Sequence, residues 1–356
     1  VKGLPDMKAA TVDLPNLKID AGARLLPEIL AHIPSIGEKQ RRIVSEVGAV
    51  HVTGSLHGSL DKAEGTLDVA TDIGRVLLAA DYTALQHGNA SIKSTAAIET
   101  VDAGKLSGNP EIGTVTAHVE ASGNLSPRGY KGQIAMIVDE ASFKGYHYNN
   151  AHVDLDVDGK NLKGQVSIDD ENIGVTADGT VNMTKGEYAC DVNVDIDRLN
   201  PYALGLTKKY EGYRLSGEFY ADLAGDDVES MDGRAELSHL RFLKGDQEGV
   251  ALNHLTLMAS GSSMPQYIMV HSDIFDAQIN GNYRFKDIVP SVRHILTDIF
   301  PALHTEINPD KKHLAERRAN FDLRLEIKEN ETTNAWLKFI KSPVRAVSYT
   351  HLTLPT

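Results

Sequence analysis

The densest run of side chains able to ligate a cation or move a proton is Asp169-Asp170-Glu171-Asn172. It lacks the Asp-x-Asp-x-Asp-Gly ligand order of a calcium loop. It also falls between two alternating segments, 165–168 and 173–177, so a turn held by Asx-type hydrogen bonds is expected there. A second acidic run, DLAGDDVESMD at 222–232, is read the same way, as a charged loop. The fourteen histidines occur singly, mostly on the polar phase of strands, as His118 and His152 do, and are expected to be solvated rather than metal-bound. The single cysteine, Cys190, excludes an intrachain disulfide and a four-cysteine zinc site. Its expected role is that of a small, half-buried side chain. Asn330-Glu331-Thr332 matches a glycosylation acceptor, as do three other tripeptides, which is chance level for so short a motif. HExxH, a Walker-type glycine loop and GxSxG are all missing from the sequence. Catalysis, a bound metal and a cofactor are therefore not expected.

Bulk properties narrow the partners. A formal charge of −13 is the wrong sign for a nucleic-acid-binding stripe and for a polybasic patch on anionic lipid headgroups. With 41% apolar and 24% charged residues the chain is globular in composition. Aromatic residues make up 6%, few for a packed β-sandwich core. No apolar run approaches the roughly 18 residues of a membrane helix. The last ten residues, VSYTHLTLPT, read as the translation of a sequencing adapter and are set aside from fold reasoning. With Val1 in place of an initiator Met, the chain is expected to be an internal fragment whose natural termini lie elsewhere.

What the sequence does carry is alternation. In HVDLDVD (152–158), Val153, Leu155 and Val157 take one phase and His152, Asp154, Asp156 and Asp158 the other. Val166 and Ile168, then Val192, Val194 and Ile196, repeat the pattern, as do AQINGNYRF (277–285) and ANFDLRLEIK (319–328). Side chains of a strand have period two, so each segment has one apolar and one wet face. Lone glycines and Asp-Gly pairs every 10–14 residues or so mark hairpins and bulges. The expected fold class is mainly β: a long, curled antiparallel sheet forming an open trough, with a few amphipathic helices. Residues 1–48 are expected to be a non-β segment with short helices, 49–285 the repetitive β region, 286–318 an amphipathic helix and connection, 319–346 a β continuation, and 347–356 non-native. In 286–304, Ile288, Val292, Ile295, Ile299 and Leu303 recur at spacings of three and four, the mark of a helix with a broad apolar face. That helix is expected to cover or gate the sheet. The eight residues Val153, Leu155, Val157, Val166, Ile168, Val192, Val194 and Ile196 are the candidate apolar groove.

Three stretches carry a family resemblance: SIDDENIGVTADGTVNM (167–183), DVNVDIDRLNPYALGL (191–206) and HSDIFDAQINGNYRFKDIV (271–289). Together they resemble the TamB branch of the AsmA-like bridge proteins, in the form found in Bacteroidota. The pattern is carried by Ser272, Asp273, Asp276 and Ala277, then Gly281, Tyr283 and Phe285 before the amphipathic helix. VHVTGSLHGSLDKAEGTLDVAT (50–71) resembles the Gly-x-Leu-x-Gly strand pairs of that family. The resemblance implies a periplasmic protein anchored in the inner membrane, with the anchor outside this fragment. It further implies that phospholipid acyl chains travel in an apolar groove and that an Omp85-type outer-membrane barrel is the partner. Two other readings stand beside it. One is a β-rich scaffold or adhesin-like solenoid whose apolar face is filled by its own side chains. The other is a periplasmic assembly factor that offers strand edges to outer-membrane β-proteins.

Overall fold

The computed structural model describes residues 10–23, 38–127, 129–227, 229, 231–245, 248–285, 288, 320–340 and 352–353. The protein is mostly β. Seventeen antiparallel strands of seven or more residues form one sheet that is not closed, and the described residues hold three short helices. The chain divides into two compact units.

The first unit holds β1 (Thr11–Ala21), β2 (Val50–Ser59), β3 (Lys62–Thr71), β4 (Gly74–Ala84), β5 (Ala90–Asp102), β6 (Ile112–Ser126), β7 (Gly129–Phe143), β8 (Tyr146–Asp158) and β9 (Asn161–Asp169). Each pairs antiparallel with the next in sequence. The β8–β9 turn needs a left-handed residue, and Asp158-Gly159 supplies it at φ 63°. Helix α1 (Glu38–Val47) lies in the segment where short helices are expected. Helix α2 (Ala103–Ser107) is capped by Asp102, whose side chain accepts the Lys105 N–H at 2.9 Å.

The expectation of a non-β segment over 1–48 is corrected at Thr11–Ala21, which is strand β1. Leu14 and Leu17 are three apart, a helix-like spacing. A bulge explains it: Pro15 and Asn16 together face one residue, Ser55, between the pairs Leu14–Leu56 and Leu17–Gly54. Both leucines thus reach the same face. Residues 24–37 of that segment lie outside the described residues.

The second unit holds most of β10 (Ile173–Thr184), then β11 (Glu187–Leu199), β12 (Tyr213–Gly225), β13 (Asp232–Lys244), β14 (Glu248–Ser260), β15 (Gln266–Ser272), β16 (Phe275–Asn282) and β17 (Asn320–Ile327). The β continuation expected over 319–346 is right for β17 and wrong after it: Glu331–Phe339 is helix α3. Asn330 starts it, its side chain accepting the Thr333 N–H at 2.8 Å while its own amide donates to the Asp273 carbonyl at 2.8 Å. Thr333, Trp336 and Phe339 then recur at helical spacing. Thr333 is buried, Trp336 Nε1 donates to the Ala251 carbonyl at 2.8 Å, and Phe339 stacks on Tyr210 at 5.6 Å. Tyr213 and Phe242 complete this knot of rings. Five of the 21 aromatic residues are therefore spent on seating one helix.

The buried core of the second unit is Ala259, Ile268, Ile279, Tyr283, Ile288, Phe321 and Leu323. Within it the Tyr283 hydroxyl has no hydrogen-bond partner among the described residues, and burial pushes its pKa up to about 12. An unsatisfied buried hydroxyl costs roughly 1–3 kcal/mol. Tyr283→Phe removes it without changing ring volume, so it should raise stability by about 1 kcal/mol in denaturant unfolding. A destabilised Phe variant would show that the hydroxyl is used.

Candidate functional site

Strand register decides which side chains share a face. In the first unit one row runs Leu17, Gly54, Leu67, Leu78, Ala96, Val119, Met136, Val153 and Val166, each opposite the next across β1 to β9. The row beside it runs Ile19, Val52, Val69, Val76, Ile98, Ala117, Val138, Ala151 and Ile168. Two further rows on the same face end in Leu155 opposite Gly164 and in Val157 opposite Leu162. No charged residue enters any of the four rows. The register thus brings together five of the eight candidate groove residues: Val153, Leu155, Val157, Val166 and Ile168.

Among the described residues the extensive element contacts of these rows are with their neighbouring strands, and Leu204, in the non-strand segment 203–207 of the same unit, is fully buried. The side chains of this face are mostly half-buried, with Ala117 fully buried and Ile19 and Val166 exposed at 49% and 37%. Helix α2 packs against β6 and against α1.

Val192, Val194 and Ile196 share one face of the second unit. Val192 lies in the row Ala221, Ala235, Leu257, Val270, Ala277 and Leu325. Val194 opposes Phe219, and Ile196 opposes Gly217. Cys190 is half-buried on this face opposite Leu223, placed as a small apolar side chain. Of the five helix-cover residues, Ile288 is described: it is buried in the cluster with Ile279, Phe321 and Leu323. Val292, Ile295, Ile299 and Leu303 lie outside the described residues.

The opposite faces are polar, and here register shows what single residues hide. His51 lies opposite Asp20, with Nδ1 2.7 Å from the carboxylate, and His57 meets Asp13 at 2.7 Å. His147 reaches Glu140 at 2.6 Å and His271 reaches Asp276 at 2.8 Å. Most of the described histidines are exposed, His57 and His254 being half-buried, yet these four clip neighbouring strands. Exposed pairs of this kind contribute little each, about 0–1 kcal/mol. Among the described residues no three His, Cys, Asp or Glu side chains gather as a metal site.

The acidic turn is an Asx turn. Asp170 is 7% exposed and accepts hydrogen bonds from the Asn172 N–H at 3.0 Å, the Asn149 amide at 3.0 Å and the Tyr146 hydroxyl. Asn172 Nδ2 donates to that same hydroxyl at 3.2 Å. The cluster is a half-buried hydrogen-bond network around Asp170 that closes one turn.

Among the described residues no helix is long and apolar enough to cross a membrane. No family model, curated protein or solved structure matches the chain. The apolar face is thus characterised by its own geometry.

Burial alone would raise the Asp170 carboxyl, but the Tyr146 hydroxyl, the Asn172 N–H and Asn149 outweigh it and hold the pKa below the ordinary carboxylate value. A depressed folded-state pKa adds stability above the unfolded pKa, and that stability is lost as pH falls through the folded one. Asp170→Asn should therefore cost about 1–3 kcal/mol near neutrality. The deficit should shrink as the pH drops below the ordinary carboxylate range. Urea unfolding at a series of pH values checks this; a constant deficit would contradict it.

Proposed function

We propose that this chain is a lipid-conducting segment of a periplasmic bridge between inner and outer membranes. The observation that carries the reading is the nine-strand apolar face of the first unit, continuous in register and free of charge in its four rows. Nine strands at about 4.8 Å spacing give an apolar path of roughly 40 Å. An acyl chain laid on it gains roughly 0.8 kcal/mol per CH₂ removed from water. Because row follows row without a charged step, that gain changes little as the chain slides, so movement needs no bond chemistry. Glycines and alanines between the branched side chains keep the surface low. The polar face, with its ion pairs, stays in water.

The resemblance to the TamB branch of the AsmA-like bridge proteins supports this reading. It adds three expectations: a membrane anchor outside this chain, an outer-membrane barrel of the Omp85 type as partner, and phospholipid as cargo. The scaffold reading draws its support from the second unit, where the cluster of Ile268, Ile279, Tyr283 and Phe321 fills part of the apolar face with the protein's own side chains.

Photocrosslinking separates the two. Reactive groups at Leu155 and Val194 should capture phospholipid, and groups at Asp156 and Asn193, on the opposite phase, should not. Leu155→Asp or Val194→Asp should weaken lipid capture by the neighbouring apolar positions while leaving the β spectrum unchanged, since a carboxylate beside an acyl chain costs several kcal/mol when desolvated. Equal labelling of both faces, or a chain that carries no lipid in native mass spectrometry, would favour the scaffold.

A further inference from the structure

The polar face of the second unit carries two methionines where polar residues are the rule. Met258 and Met269 lie directly opposite one another on β14 and β15 and are 43% and 40% exposed. Two residues along β15 on the same face is His271, opposite Thr256. Met258, Met269, Thr256, His271 and Asp276 line one depression of about 450 Å³.

We propose that Met258, Met269 and His271 form a binding site for a soft monovalent cation, Cu(I). Three features argue for it. First, directly opposed residues in an antiparallel pair have Cβ atoms about 4.5–5.5 Å apart. Two long, flexible thioether side chains can therefore converge on one ion. Second, a carboxylate already stands beside the imidazole. His271 Nδ1 lies 2.8 Å from Asp276 Oδ1. This is a close electrostatic approach rather than a formed hydrogen bond; coordination through Nε2 would leave Nδ1 facing the carboxylate, the arrangement usual for a metal-binding histidine. Asp276 is itself fixed by Lys328 Nζ at 2.9 Å. Third, the donor set selects the ion. Thioether sulfur favours Cu(I), and imidazole accepts copper, whereas hard divalent ions need carboxylates. The carboxylate of Asp276 is taken by His271 and Lys328. Around the site Glu236, Asp276 and Glu326 balance Arg234, Arg324 and Lys328, with Arg234 held by Glu236 at 3.1 Å. That local neutrality suits a single positive charge better than two. The exposed sulfurs, otherwise hard to account for on a hydrophilic face, become ligands. The site lies on the face of the second unit opposite the row from Val192 to Leu325 and does not depend on the lipid reading.

The test is anaerobic titration of the full chain with Cu(I), kept reduced by ascorbate, against a chromogenic Cu(I) chelator. Wild type and Cys190→Ser should each retain one equivalent. The Met258→Leu/Met269→Leu double variant keeps side-chain volume and fold, and His271→Gln removes the imidazole. Each should lose affinity by at least about tenfold, as even the partners of metal ligands do when removed. Circular dichroism confirms that the variants fold. Zn(II) should not compete. Failure of wild type to retain Cu(I), retention unchanged in the double variant, or loss on Cys190→Ser alone would each overturn the assignment.

Discussion

Everything in this molecule depends on strand register. A strand sends successive side chains to opposite faces, so a slip of one residue would exchange the apolar and charged faces of that strand. Across β1 to β9 the slip does not occur. Leu17 to Val166 is an unbroken apolar row, and the neighbouring row from Ile19 to Ile168 is unbroken too. Where an extra residue enters, it enters as a bulge that restores the phase. The pairing shifts between Leu14 and Leu17 in β1, between Ile98 and Val101 in β5, and between Ile196 and Leu199 in β11. In β1 the second half of the strand then returns to the same face. The same constraint lines up histidine with carboxylate on the wet side and places Met258 against Met269.

Much of this architecture was legible in the sequence because period-two alternation is local. The phases of β8 and β11 followed from HVDLDVD and DVNVDID without any knowledge of their neighbours. What failed was local evidence interrupted or mimicked. β1 escaped because Pro15 and a bulge set Leu14 and Leu17 three apart. Helix α3 escaped because ANFDLRLEIK runs into it with an alternating pattern. Its start signal is the single residue Asn330, and its apolar side is three residues, Thr333, Trp336 and Phe339. The acidic turn at Asp170 was readable, since an Asx turn needs only its own residues. Its partners Tyr146 and Asn149, more than twenty residues upstream, were not. Cross-strand pairs such as His51 with Asp20 are invisible to any reading that lacks register.

The scarcity of aromatic residues acquires a meaning from where they sit. Tyr210, Tyr213, Phe242, Trp336 and Phe339 gather to seat α3, and Tyr283 and Phe321 pack in the buried cluster of the second unit. The nine-strand face holds one aromatic ring in its four rows, Tyr82, and is otherwise built from Val, Ile, Leu, Met, Ala, Gly and one Ser. In those two places rings pin a helix and pack a core, while the four rows of the first unit are almost wholly aliphatic.

Pairing between sequence neighbours also sets how the protein comes apart. From β1 to β9 each strand bonds to the one before it and the one after it. Most contacts therefore close short loops, whose entropic cost grows slowly with length. Such an array behaves as a one-dimensional chain of coupled hairpins rather than as one indivisible core. Its cooperativity is carried by nearest neighbours. Hairpins can nucleate at several places and zip outward, and damage in one hairpin fades within a few strands. The free energy of opening then varies along the sheet, lowest at weakly coupled hairpins and highest where the rows are most fully packed.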